Sequence, residues 1–174
     1  NASQPMNAVE SIQAAGFSLW DCFIGLIPGS VGETSVLCCL LGAAILIGTG
    51  VASWRTMVGC VVGTVCMAGL FNVLATETTI PFLEVGPIWH LFIGSFAFGT
   101  VFMATDPVSS AHTNKGRWLY GLLIGFMATV IRCINPAYPE GMMLAILFAN
   151  AFAPLIDYSV LQSHIKNRQL QYEK

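Results

Sequence analysis

Charge is what this sequence has least of. Of 174 residues, seven are Lys or Arg and nine are Asp or Glu, 9% in all, with a formal net charge of −2. An ordinary soluble domain is roughly 25% charged. With so few charges, a soluble fold of this size would leave too much apolar area against water. The shortage argues against a soluble enzyme and against a disordered chain. The near balance of signs argues against a nucleic-acid binder, which needs a basic footprint. Patterned ligands are missing as well. Cys22, Cys38, Cys39, Cys60, Cys66 and Cys133 fall mostly within apolar runs, with no CxxC or Cys/His spacing for zinc or an iron–sulfur cluster. They read as small hydrophobes of a helical interior. No Ser/His/Asp or Cys/His nucleophile arrangement is evident. The opening stretch, residues 1–16, is polar and has no basic segment leading into an apolar one, so it is not a signal peptide. It begins with Asn1 rather than Met, and the chain is expected to be the downstream part of a longer protein.

What the sequence does have is apolar length: 55% of its residues are hydrophobic. At about 20 residues per helical span plus short loops, the chain holds about five spans. The expected stretches are Thr34–Ser53, Met57–Leu74, Ile88–Ala104, Trp118–Ile131 and Gly141–Ile156. A sixth, Phe17–Ile27, is too short to cross, contains Asp21 and stops at Pro28-Gly29. It reads as a re-entrant or interfacial half-helix. The fold class is therefore an all-α polytopic membrane protein. Its parts are an external loop and half-helix over 1–33, a five-span domain over 34–161 and a cytoplasmic tail over 162–174.

Basic residues orient the spans. Arg55, Lys115 with Arg117, and Lys166 with Arg168 and Lys174 fall on one side if five spans alternate. Only Arg132 runs against that trend. The C-terminus is expected in the cytoplasm. Gly59 with Gly63, and Gly121 with Gly125, have the GxxxG spacing that lets helices approach closely in lipid.

An ionisable group in or beside a span is costly and so marks a site by default. Asp157 ends the last span, one turn after Pro154, which frees a backbone carbonyl. Carboxylate and carbonyl together are the hard oxygen ligands that cations prefer; the alternative is a carboxylate reaching headgroups, or pairing with Lys166 or His164. Asp106 stands before Pro107 with Thr105, Ser109 and Ser110 around it, either as an ion ligand or hydrogen-bonding group, or as an ordinary helix stop. Glu140 after Pro139 suits a helix start. Tyr138 with Met142 and Met143 nevertheless forms a soft, flat patch able to receive an aromatic cofactor. Asn150, mid-span, is expected to hydrogen-bond another helix. Gly29, Ser30 and Gly32 could form an anion nest, or simply lead through Glu33 and Thr34 into a helix. The loop lacks the Gly-Lys-Ser/Thr ending of a nucleotide-binding loop. Asp21 reads as a cap, and His90 beside Trp89 as interfacial.

Four stretches carry a resemblance. They are Ile27-Pro28-Gly29-Ser30 with Gly32-Glu33; Phe96-Ala97-Phe98-Gly99; Phe102-Met103-Ala104-Thr105-Asp106-Pro107-Val108-Ser109; and 135–147 continuing to Ala153-Pro154-Leu155-Ile156-Asp157. In this order, over essentially the whole chain, they resemble the B subunits of the sodium-translocating NADH:quinone oxidoreductases. The D subunit of a related electron-transport complex shares weaker versions of two of them. The resemblance implies a ten-span protein of two inverted five-span repeats, similar to urea transporters, of which this chain is similar to the second. It implies a bacterial inner-membrane location and the other subunits of the complex as partners. It also implies covalent FMN on a threonine upstream of Asn1, riboflavin, and ubiquinone as substrate.

Asp157 and Asp106 match acidic positions, and the resemblance places them on the cytoplasmic side of a sodium pathway. Tyr138 and Glu140 fall on the external side, near where the FMN tether would be. The implied activity is electron transfer through flavins to quinone, coupled to sodium export, with no activity of this chain alone. The same architecture serves passive small-solute channels, and a structural membrane subunit is a third reading.

Overall fold

The structure is a computed structural model that describes residues 14, 16–29, 32–75, 83, 85–135 and 141–172. Among these residues there is no strand. Helix α1 (Leu19–Ile24) is followed by α2 (Val36–Gly48), α3 (Trp54–Leu74) and α4 (Pro87–Phe92). Then come α5 (Phe96–Phe98), which runs on into a π-helical turn at Gly99–Met103, then α6 (Asn114–Ile134) and α7 (Met142–Tyr172). Three helical stretches are long and apolar enough to cross a membrane: Trp54–Leu74, Asn114–Ile134 and Met142–Lys166. They match the second, fourth and fifth expected spans.

The other two expected spans take different forms. Thr34–Ser53 holds a helix of only 13 residues, α2, which ends where Gly50 turns left-handed at φ 73°. Its start is capped by Ser35, whose Oγ accepts from the Cys38 amide at 3.3 Å, rather than by Glu33 or Thr34. Ile88–Ala104 is a broken helix. Gly94 and Ser95 both adopt positive φ, 68° and 54°. Two successive left-handed residues cannot continue a right-handed helix, so α4 stops and α5 starts in a new direction. Hydropathy alone reads through such a break, because Ile93-Gly94-Ser95 is no more polar than its surroundings. Irregular backbone of this kind is tolerated at membrane depth only where protein or water satisfies it.

The short α1 forms as expected of a half-helix. Ser18 accepts from the Asp21 amide while the Asp21 carboxylate accepts from the Ser18 amide at 2.8 Å, a reciprocal cap. Its Phe23 meets Phe92 of α4 edge-on, with ring centroids 5.9 Å apart.

The centre of the fold is the seam between α3 and α6. A Cβ added at Gly63 would stand 2.5 Å from the Leu122 carbonyl oxygen, and one at Gly121 the same distance from that of Thr56. Both GxxxG pairs are therefore backbone-to-backbone contacts, the use their spacing implied. Trp54 meets Trp118 edge-on at 5.8 Å, and Thr64 Oγ1 reaches the Gly125 carbonyl at 3.3 Å. Residue numbers rise together along the seam, so α3 and α6 run parallel. Helix α7 closes the other side of α6. There the fully buried Tyr120 hydroxyl donates to Asn150 Oδ1, the interhelical bond expected of a mid-span amide. Phe96, Ile124, Met142 and Ile146 fill the space between. Met142 lies under Gly99, with its Cγ 2.5 Å from where a glycine Cβ would be. Met142 is therefore a core residue, not part of a surface patch for a cofactor.

Candidate functional site

The connector from Asp106 to Thr113 is where both acidic candidates make their hydrogen bonds. Asp106 closes it at one end: its Oδ2 accepts from the Ser109 amide at 3.0 Å and from Ser109 Oγ at 2.8 Å. Its Oδ1 receives no hydrogen bond from the described residues. Thr105 turns its hydroxyl back onto the Val101 carbonyl at 2.6 Å, so that proton is already committed. This half of the connector is a helix stop and a turn, with one carboxylate oxygen left over.

Asp157 closes the other end, from across the fold. It sits on α7, and its Oδ2 accepts from the His112 amide at 2.7 Å. Its Oδ1 accepts from the Thr113 amide at 3.0 Å and from Thr113 Oγ1 at 2.6 Å. These donors lie at the start of α6, where Thr113 in turn caps the Gly116 amide at 3.0 Å. Amides at a helix N-terminus lack intrahelical partners and carry partial positive charge, so a carboxylate is favoured there. Gly116 makes the approach possible: a Cβ on it would stand 2.6 Å from Asp157 Oδ1. Arg117 Nε donates to the Ala111 carbonyl at 3.2 Å and ties down the same connector. In place of the alternative pairing with Lys166 or His164, the carboxylate makes this cap. Pro154, one turn before, has no N–H to give the Asn150 carbonyl.

Sequence reasoning singled out Asp157 but not the residues that hold it. Thr113 and Gly116 lie 44 and 41 positions away, where no local pattern relates them to it. Among the described residues no three His, Cys, Asp or Glu side chains converge to hold a metal ion. Tyr138 and Glu140, the expected flavin neighbours, lie outside the described residues, as does Ser30 of the supposed nest. Asp21 is a cap: the Ser18 amide, and then its hydroxyl, hold the carboxyl below its ordinary value.

The opposite end of α6 has the reverse chemistry. Arg132 is 4% exposed and His90 2%, so neither the expected interfacial His90 nor a solvent-facing Arg132 is found. The Arg132 guanidinium donates from Nη1 to the His90 carbonyl at 2.9 Å and from Nη2 to the Gly94 carbonyl at 3.1 Å. His90 Nδ1 lies 3.4 Å from Nη1. The break between α4 and α5 leaves carbonyls without helical donors, and Arg132 supplies donors to two of them. Its departure from the charge pattern thus has a local reason.

The contacts also bear on that pattern's geometry. The start of α3 meets the start of α6 through the two Trp rings, and α7 reaches the start of α6 through Asp157. Arg55, Lys115, Arg117 and the later part of α7 therefore share one end of the fold. Arg132 stands at the other.

Membrane-capable helices around a glycine seam, with a broken helix held by a buried side chain, define a multi-pass helical membrane protein with discontinuous spans. Residues 1–166 match the family model described as NQR2, RnfD, RnfE, and the chain belongs to that family. It is 51% identical over 160 residues to the B subunit of the Na(+)-translocating NADH-quinone reductase of Stutzerimonas stutzeri strain A1501, covering 92% of this chain and 40% of the relative. It is 56% identical over 152 residues to the B subunit of the same reductase from Klebsiella pneumoniae strain 342, covering 87% of this chain and 37% of that one. The chain thus spans about two fifths of the length of the curated relatives it matches.

Proposed function

We propose that this chain is part of the membrane-embedded B subunit of a sodium-translocating NADH:quinone reductase, which passes electrons through flavins to quinone and couples this to sodium export. The observation that carries the reading is 51–56% identity, over about nine tenths of the chain, to relatives of that name. The flavins, one of them covalent FMN on an upstream threonine, and ubiquinone supply the redox chemistry; the remaining subunits of the complex deliver the electrons. The membrane is the bacterial inner membrane, with the C-terminus in the cytoplasm.

Within this chain, the part left to its own residues is handling the cargo ion. Asp106 offers sodium one carboxylate oxygen with no hydrogen bond from the described residues. Asp157 offers two oxygens that already take three donors, so an ion there must displace or share with N–H groups of His112 and Thr113. Asp106 opens the connector and Asp157 is held by its far end, at the end of the fold where the basic residues gather. At Asp157 the arrangement suits brief occupancy on the way through rather than tight storage, because each ion contact there competes with a hydrogen bond already made. Tyr138 and Glu140 are assigned to the FMN vicinity on the external side.

The test is a sodium titration of quinone reduction by the whole complex. Asp157→Asn keeps the shape and loses the charge. It is expected to raise the sodium needed for half-maximal rate about tenfold, the scale of one charge-assisted contact, and to leave NADH oxidation by the hydrophilic subunit intact. An unchanged sodium dependence would remove Asp157 from the pathway.

A further inference from the structure

The broken helix gives Arg132 a second consequence. In discontinuous membrane helices, the carbonyls of unwound backbone and of half-helix C-termini are the groups that coordinate transported cations. Here the half-helix is α4, and its C-terminal side presents the His90 and Gly94 carbonyls. The negative end of a helix favours positive charge. Both carbonyls already accept from a single guanidinium, at 2.9 and 3.1 Å. A guanidinium does not lose its proton in proteins and donates in a fixed fork. It therefore occupies the carbonyls permanently, and the side chain is 4% exposed.

We propose that Arg132 is a built-in cation at this break: its guanidinium fills the position a mobile sodium ion would take between the His90 and Gly94 carbonyls, and so closes this part of the membrane domain to cation passage. The cargo ion is then confined to another route, which keeps its movement tied to turnover. Arg132 is a positioning residue and a seal, and it does not bind the cargo. The two occupied oxygens carry this role, whatever else the guanidinium touches. The proposal relies on the sodium-translocating reading above for the identity of the ion.

The experiment uses the whole complex in sealed proteoliposomes, with radioactive sodium uptake measured first with NADH and quinone and then without them. NADH-driven uptake by the wild type checks the functional reading separately; if it is absent, that reading fails whatever the variants do. Without NADH, Arg132→Met and Arg132→Gln are expected to admit sodium at least about tenfold faster than wild type, while assembled complex retains its subunits and flavins. Assembled neutral variants as tight as wild type overturn the proposal, and a fall in thermal stability without a leak does the same by leaving Arg132 a structural role only. If neither neutral variant assembles, Arg132→Lys decides. An ammonium is a point charge that cannot fork to both carbonyls, so sodium should leak faster than in wild type. Arg132→Lys as tight as wild type overturns the proposal.

Discussion

The two ends of α6 are tied to the rest of the fold by opposite charges. At its start, an acidic side chain from α7 receives amide and hydroxyl protons. Near its finish, a basic side chain of α6 itself gives protons to the carbonyls of a broken neighbour. Each choice follows from the helix dipole: anions suit N-termini and cations suit C-termini. The difference lies in exchangeability. Asp157 is half-buried and its partners are single hydrogen bonds, each replaceable by water or an ion. Arg132 is almost wholly buried, and its withdrawal leaves two carbonyls without donors inside a low-dielectric environment. One end is built to be opened, the other to stay shut.

That contrast can be broken most sharply by comparing Arg132→Met with Asp157→Asn for stability. Arg132→Met orphans one buried and one part-buried carbonyl and is expected to cost about 2–4 kcal/mol. Asp157→Asn keeps an acceptor oxygen and should cost about 1 kcal/mol. Denaturant or thermal melts of the assembled complex give the ranking, and equal losses would erase the distinction between a fixed and an exchangeable end. An effect smaller than that of Arg132→Met comes from Gly116→Ala. The new methyl meets Asp157 Oδ1 at 2.6 Å and pushes the carboxylate off Thr113, at about 1–2 kcal/mol of crowding. It should move the sodium requirement in the same direction as Asp157→Asn, though less far. A variant with normal sodium dependence would show that the cap geometry does not matter to the ion.

The smallest effect is at α1, where the reciprocal cap holds the Asp21 carboxyl below its ordinary value of 3.8. A carboxyl with a depressed folded pKa stabilises fully above its unfolded value and loses that contribution as pH falls through the folded one. Protection of the α1 amides should therefore weaken as pH drops below 3.8. Ser18→Ala removes the hydroxyl and keeps the amide, so it should reduce that pH dependence in hydrogen exchange without abolishing it.

Much of the fold was legible in the sequence because lipid imposes simple rules. Length and apolarity located α3, α6 and α7, the glycine spacing located the seam, and the polar amide of Asn150 announced an interhelical bond. The break at Gly94-Ser95 was not legible in that way, because hydropathy measures side chains and the break is a property of backbone torsion. The Gly-Ser pair was its single local signal. His90 and Arg132 escaped for a related reason. A basic residue near a span end normally reaches water, and the carbonyls of a break 38 to 42 positions away give Arg132 a reason to turn inward. At the acidic end, the motif match picked out Asp157, but the cap that receives it depends on how α7 packs on α6.

Helix α7 is 31 residues long, about 46 Å at 1.5 Å per residue, against a hydrocarbon core of about 30 Å. Asp157 is its sixteenth residue, about 22 Å of rise from Met142. With Met142 near one face of the bilayer, the carboxylate lies close to the other face. Its depth is therefore set by bilayer thickness as much as by the protein. Longer acyl chains would bury this end further and make its departures from the cap more expensive, while shorter ones would bring it towards the headgroups. Lipid chain length would then act as a dial on ion admission.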